Sequence, residues 1–287
     1  MIIVNNNYST LYVICYNFFG IIDFCSIVIF GKLMEQIDTL RNGFKIIQDT
    51  ERFQFGIDAV LLADFAVSGG LRSASGVQAG EKVIDLGTGT GIIPLLMAGS
   101  QALSSNNLKS SITFTGLEVQ DASAEMAKRS IALNQLENQI NIVKGNLCEV
   151  DKLFDKHSFN VVTCNPPYMA DIHGKGNNLD AKTIARHEVL CTLEDVVAAA
   201  DYLLATHGRF FMIHRPYRLP EIFESLAAHK LEAKRMRLIY PFADKEPNMV
   251  MIEARKNAKR RLIIEPPLVV RNDDGEYTDE IHRIYGD

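Results

Sequence analysis

The chain has 287 residues, 47% of them hydrophobic and 23% charged, which suits one large α/β domain or a domain with a small appendage, with a fully buried core. A net charge of −5 excludes bulk electrostatic affinity for nucleic acid, so any phosphate contact must come from a local basic surface. Five cysteines (Cys15, Cys25, Cys148, Cys164, Cys191) form no C-x-x-C pair and no zinc spacing with histidine, which argues against a metal site and for reduced thiols in the cytoplasm.

Residues 11–30, LYVICYNFFGIIDFCSIVIF, have nearly the length and apolarity of a membrane span, but Asp23 interrupts them and no Lys or Arg precedes Lys32. A signal peptide would need a basic start and a small-residue cleavage site, and neither is present. The first 33 residues, rich in Ile, Phe, Asn and Tyr, read as translated AT-rich upstream sequence, with Met34 the expected start. A membrane partner is expected only if residues 11–30 are a genuine segment. After Met34, FKIIQDTERFQFGIDAVLLADFA predicts a short strand, a turn, and a helix from about Ile57 with Val60, Leu61 and Phe65 on its apolar face. The Gly/Ser-rich stretch 68–80 predicts a loop.

From Lys82 onward strands and helices alternate. KVIDLG is a strand, IIPLLMAGSQAL a helix, SITFTGLEV a strand and DASAEMAKRSIALNQL a helix; strands INIVKG and FNVVTC, helix LEDVVAAADYLLA and strand GRFFMIH follow. All-apolar strands in this rhythm predict a mostly parallel sheet covered by helices on both faces. Beyond it, PEIFESLAAHK predicts a helix, then KRMRLIY and NMVMIEAR two strands. The connection PFADKEP is too short for a helical crossover, so these strands should form an antiparallel hairpin at the edge of a seven-stranded sheet. The last residues predict one more short extended pair around Asp274-Gly275. The expected organisation is an extension over 1–33, a main domain over 34–255, and a basic tail over 256–287.

Three motifs fall at strand ends. VIDLGTGTG (83–91) is a glycine-rich turn between a strand and a helix, and its residues Gly87, Thr88, Gly89 and Gly91 allow close ligand approach at a helix N-terminus. Several nucleotide folds carry such a loop. Asp85 sharpens it, because a carboxylate inside the loop repels a pyrophosphate but pairs with an ammonium group, which favours S-adenosylmethionine over a dinucleotide. Glu118, ending FTGLE, can accept both ribose hydroxyls, with Val119 beside it. Asn146, before Leu147, ends the next strand, where its amide can accept from an adenine amino group or shape a turn. FNVVTCNPPYM (159–169) ends a strand on Asn165, Pro166, Pro167 and Tyr168. Proline leaves the ladder without donors and fixes φ, so Asn165 Oδ1 and the Pro166 carbonyl are left to accept the two N–H bonds of a planar conjugated amine. Tyr168 can stack on its flat face, worth on the order of 1–3 kcal/mol for a base. Adenine and a glutamine amide both satisfy that description.

The ordered set DLGTGTG, an acidic strand end, then NPPY resembles the class I S-adenosylmethionine-dependent amino-methyltransferases over roughly residues 45–255. Within that class FQFGIDAVLLADF, ARHE (185–188) and HRPYRLPEI are similar to the bacterial tRNA(Val) adenine-N6-methyltransferases. The resemblance implies a Rossmann-like class I methyltransferase fold and methylation of an adenosine beside the anticodon (position 37), leaving S-adenosylhomocysteine. It implies that Asp85, Gly87, Glu118 and Asn146 hold the cofactor, that Phe55 and Asp58 lie near its methionine end, and that Asn165, Pro166, Pro167 and Tyr168 hold the base. Asn146 departs from the acid usual there. Arg186 and His187 are candidates for phosphate contact.

Between Lys230 and Arg261 ten Lys/Arg stand against four Asp/Glu. Lys234, Arg235, Arg255, Lys256 and Arg260, on and beside the predicted hairpin, are expected to track a tRNA backbone. Neither a metal nor an obligatory protein partner is called for. The rival readings are a glutamine N5-methyltransferase of peptide release factors and a non-catalytic RNA-binding protein on the same scaffold. The first usually carries a helical domain for which Met34–Gly80 leaves little room, and the second would waste chemically competent motif residues.

Overall fold

Apolar runs of five or six residues, each closed by glycine or a polar turn, build the centre of the computed structural model, which describes residues 11–12, 28–30, 33–40, 42–49, 55–69, 76–100, 111–166 and 191–285. The expectations for the start of the chain and for most of its first 33 residues fall outside this set. In chain order the elements are β1 (Leu11–Tyr12), β2 (Val28–Phe30), β3 (Leu33–Thr39), β4 (Lys45–Asp49), α1 (Ile57–Ser68), β5 (Lys82–Leu86), α2 (Ile92–Gly99), β6 (Thr113–Glu118), α3 (Asp121–Leu133), β7 (Ile140–Lys144), a 3-10 turn (Leu147–Glu149) and α4 (Val150–Leu153). There follow β8 (Phe159–Cys164), α5 (Leu193–Leu203), β9 (Leu204–His214), a 3-10 turn (Pro216–Arg218), α6 (Leu219–Ala228), β10 (Leu231–Phe242), β11 (Met249–Lys256), β12 (Ile263–Ile264), β13 (Leu268–Arg271) and α7 (Asp279–Tyr285).

The main sheet runs β12-β10-β11-β9-β8-β5-β6-β7, with β13 also paired to β10. Strands β7, β6, β5, β8 and β9 are parallel, while β11 runs antiparallel to both β9 and β10. The seven predicted strands are therefore β5–β11, and β10–β11 is the predicted antiparallel hairpin. Its expected place at the edge is corrected: Ile263-Ile264 pair in parallel with Arg235-Met236, and Leu268–Arg271 with Ile239–Phe242, so the tail covers the outer side of β10. Pro266 and Pro267, which cannot donate to a ladder, separate these two short strands. The pair predicted around Asp274-Gly275 is reduced to one bridge, Arg271 to Tyr277, across a turn in which Gly275 takes φ +85°. Helix α7 was not predicted, and its Ile281 is buried in the same cluster as the α1 side chains.

Both faces of the sheet are covered. On one, α1, α2 and α3 bury Leu61, Leu62, Phe65, Leu95 and Ile131; on the other, α5 and α6 bury Leu193, Val197, Leu203, Ile222 and Leu226. Each such side chain contributes roughly 1.5–3 kcal/mol by leaving water. Before α1, the β3–β4 hairpin leans on α3, whose polar side chains satisfy the free edge of β4. Ser130 Oγ accepts from Ile47 N (2.9 Å), and Asn134 accepts from Lys45 N (2.8 Å) and donates to Lys45 O (2.6 Å). Arg129 grips Glu35 through two bonds of 2.8 and 2.7 Å. The hairpin is thereby fixed beside the helices that follow the glycine-rich turn.

Candidate active site at the carboxyl ends of the parallel strands

Strand β5 has β6 on one side and β8 on the other, so the strand order reverses direction there, and a crevice opens beyond the carboxyl ends at such a point. The register sets the level of each residue. Asp85 lies opposite Gly116 and Thr163, and Leu86 opposite Leu117 and Cys164. One residue further on, Gly87, Glu118 and Asn165 stand level at three adjacent strand ends. Three motifs that lie far apart in the chain thus converge.

The glycine-rich turn follows from its backbone. Gly87, Gly89 and Gly91 have φ of +70°, +57° and +83°, in the left-handed region that L side chains rarely adopt. A Cβ added to Gly87 or Gly89 would meet nothing within 4 Å, so this stretch of backbone faces open space in which a ligand can approach. Gly91 instead packs on α3, where an added Cβ would lie 3.3 Å from that of Ala127. Glu118 fastens the turn, accepting from Gly89 N (2.9 Å) through one carboxylate oxygen and from Gln120 N (2.8 Å) through the other. Each oxygen keeps a second lone pair for an incoming hydroxyl.

Asp85 is only 2% exposed. Thr163 donates to its Oδ1 at 2.7 Å, whereas Oδ2 is buried with no hydrogen-bond partner among the described residues. Burial pushes the Asp85 carboxyl up to about 7, against the hydroxyls of Thr163 and Thr88, which lower it, and with the charge of Glu118, which raises it further. A buried acid with one unmet acceptor, at the root of a left-handed glycine turn, matches a ligand that brings a cation. The residues present therefore fit the ammonium end of S-adenosylmethionine and fit a pyrophosphate poorly.

The remaining predicted residues are placed as follows. Asn146 caps the 3-10 turn, its Oδ1 accepting from Cys148 N at 3.0 Å, so its turn-forming role is realised; Leu147 packs partly into the second core cluster and Val119 is exposed beside Glu118. Phe55 packs against the first cluster, and its backbone N donates to Gln48 Oε1 at 3.0 Å. Asp58 sits in the first turn of α1, with Oδ1 accepting from Ala59 N at 3.0 Å, while the N-cap is Gly56. Asn165 is half-buried and Pro166 buried at the end of β8; Pro167, Tyr168, Arg186 and His187 lie outside the described residues.

The expected basic face is corrected in part. Arg235 is 3% exposed, bonded to Glu253 (2.9 Å), Glu265 (3.3 Å) and the Phe65 carbonyl (2.8 Å), and it stacks 3.7 Å from the centre of the Phe65 ring. Lys256 is buried against Asp201, with an ion pair of 2.9 Å. Arg255 leans on the other oxygen of Glu253 at 2.8 Å. Arg235 and Lys256 are thus withdrawn from phosphate by burial and pairing. Lys234 donates to the Lys259 carbonyl at 2.7 Å, and Arg260 is exposed.

Two residues beside the site escaped the sequence reading. Thr163, which fixes Asp85, looked like an ordinary β-former inside FNVVTC; a polar residue in the buried half of a mainly apolar strand was the available signal. His214 ends β9, and because Cys164 pairs with Met212, it stands level with Pro166 on the neighbouring strand. It is buried, its Nδ1 accepts from Arg215 N at 2.7 Å, and burial holds its pKa down at about 4, leaving a neutral ring. Pro166, His214 and Arg218 share a small cavity with Cys191, Thr192, Leu193 and Val196.

No helix among the described residues is long and apolar enough to cross a membrane. The family model for the methyltransferase small domain matches residues 71–229. A tRNA1(Val) (adenine(37)-N6)-methyltransferase of Porphyromonas gingivalis is 27% identical over 246 residues, covering 84% of this chain and 90% of the relative. The enzyme of the same name from Aeromonas salmonicida is 24% identical over 238 residues, covering 82% and 90%. Among solved structures, a predicted O-methyltransferase from Agrobacterium tumefaciens superimposes with a TM-score of 0.59 at 19% identity, covering 79% of this chain and 95% of that one. Pyrococcus horikoshii TYW2 in complex with MeSAdo gives 0.52 at 13% identity, covering 81% and 75%. Likeness at such identities speaks to the fold, a mostly parallel α/β sheet of the class I methyltransferase type.

Proposed function

The chain belongs to the methyltransferase small domain family, and from that premise we propose that it methylates the exocyclic N6 of an adenosine in tRNA, at position 37 beside the anticodon of a valine tRNA, as the names of its relatives state for them. The methyl donor is S-adenosylmethionine, the product S-adenosylhomocysteine, and the compartment the cytoplasm. The observation that carries this reading is the convergence of Asp85, Glu118 and Asn165-Pro166 at three adjacent strand ends.

Asp85 takes the ammonium group of the donor, Glu118 the ribose hydroxyls, and the backbone of Gly87, Thr88, Gly89 and Gly91 lets the ligand approach closely. When bound, the donor supplies an electrophilic methyl on a sulfonium. Asn165 Oδ1 and the Pro166 carbonyl accept the two N–H bonds of the adenine amine, which raises electron density on nitrogen as the new bond forms and stabilises the transition state more than the ground state. Tyr168 stacks on the base, and holding the amine in line with the methyl supplies much of the remaining acceleration. No strong base is needed, because the amine proton becomes very acidic once nitrogen is alkylated.

The test is incubation with labelled donor and either total tRNA or a peptide release factor, followed by nucleoside mass spectrometry. N6-methyladenosine in tRNA is the expected product; label confined to protein would overturn the assignment in favour of glutamine. Asn165→Ala should lower transfer by about 10²–10³-fold, the scale for losing one transition-state partner, while donor and tRNA binding persist. Full transfer by that variant would remove Asn165 from the reaction.

A further inference from the structure

The rim that carries Asn165 and Pro166 continues across β9 into His214–Arg218, a segment to which the reaction assigns no role. We propose that Tyr217, flanked by Arg215 and Arg218, is an RNA-contact surface on which an unpaired nucleotide neighbouring the target adenosine stacks. The inference rests on the tRNA reading given above and adds where on the protein the substrate is held.

Placement comes first. The pairing of Cys164 with Met212 sets Pro166 and His214 side by side, and Arg218 shares the small cavity that Pro166 and His214 line. Tyr217 therefore projects from the turn next to the catalytic corner. It is 52% exposed, and it is the one aromatic among the large, exposed hydrophobic side chains of the described residues. The other aromatic rings whose burial is described are buried or half-buried, whereas this one is presented to solvent.

The turn is also stiff. Pro216 begins the 3-10 turn and Pro220 stands in the first turn of α6, so φ is fixed on both sides of Tyr217. Arg218 is held by Glu221 through bonds of 2.6 and 2.6 Å, and Arg215 donates to the Asn248 carbonyl at 2.9 Å. A presented ring with the half-buried Arg215 beside it is a combination that holds a single-stranded base and its phosphate, since every base offers a flat face and Arg can reach the backbone, while Arg218, held by both oxygens of Glu221, braces the turn. The buried Arg235 and Lys256 cannot serve this purpose, which moves the search for RNA contacts to the strand-end rim.

The experiment compares wild type, Tyr217→Ala and Tyr217→Phe for tRNA affinity at low salt, for kcat/KM with tRNA, and for donor affinity by calorimetry. Tyr217→Ala should lower tRNA affinity and kcat/KM by about 5- to 100-fold, the range that loss of one stacked base implies, with donor affinity and melting temperature unchanged. Tyr217→Phe, which keeps the ring, should stay within about twofold of wild type. Unchanged tRNA affinity in Tyr217→Ala would overturn the surface while leaving the methylation reading intact. A wild type that neither binds nor methylates tRNA would overturn both, and a loss of donor affinity equal to the loss for tRNA would make Tyr217 structural.

Discussion

At the scale of single residues, the chemistry turns on Asp85. Its carboxyl is raised to about 7, mainly by burial, so the ligand-free protein holds a proton there that the unfolded chain, with an ordinary value of 3.8, has lost. Between those values the folded state binds more protons than the unfolded one, and Asp85 therefore makes the ligand-free protein less stable as pH rises through that window. A ligand ammonium reverses the preference by stabilising the carboxylate, so binding expels the proton. Donor affinity should rise by up to about tenfold per pH unit below 7 and level off above it, the slope of a single linked proton. Calorimetry from pH 5.5 to 8 checks this, with Asp85→Asn expected to bind at least about tenfold more weakly and with no slope. A wild-type affinity flat across that range would disconnect Asp85 from the cation. The carboxylate itself was legible in the sequence, because an acid ending an apolar strand inside a glycine turn has few structural uses. Thr163, which orients it, was not, since threonine is at home in any strand.

At the scale of elements, the glycine-rich turn between β5 and α2 is held in shape from outside, by Glu118 at the end of β6. Removing that carboxylate leaves Gly89 N and Gln120 N without their acceptor. Glu118→Ala should cost about 1–3 kcal/mol of stability, the usual penalty for a partly buried group left unpaired, and should speed amide exchange at Gly89 and Gln120 before any ligand is added. Glu118→Gln, which keeps one acceptor oxygen, should lie between the two. Unchanged exchange in Glu118→Ala would mean that the turn holds itself. This double duty explains what the sequence disclosed and what it hid: a strand-end acid announces a ligand, but its bonds to a turn 29 residues earlier depend on the register of β5 with β6. The alternating strands and helices were legible because the central strands are short, mainly apolar runs and the helices are apolar either almost throughout, as α1 and α2 are, or along one face. Strands β12 and β13, of two and four residues, are too short for any period to emerge, and so the hairpin was expected at an edge that the tail in fact covers.

At the scale of the whole molecule, the basic segment holds the sheet, the tail and α1 together. Along β10 side chains alternate between faces, and a count of charges cannot tell which of them point inward. Arg235 does: it faces Glu253 across the β10–β11 pair, reaches Glu265 ahead of β13, and bonds to and stacks on Phe65 of α1. Arg237 extends the joint, donating to the Pro266 carbonyl at 2.9 Å and to Glu280 of α7 at 2.8 Å. Breaking a buried pair leaves its partner charge uncompensated, at a cost of about 3–5 kcal/mol. Arg235→Ala should lose stability on that scale, a large share of what holds a single domain together. At a temperature where it remains folded, its tRNA affinity should match wild type, whereas the exposed Arg260→Ser should leave the melting temperature unchanged. Urea unfolding and low-salt tRNA binding, measured on both variants, separate the two roles. A folded, fully stable Arg235→Ala with weakened tRNA binding would return that side chain to the RNA surface and overturn its assignment to the joint between tail, sheet and α1.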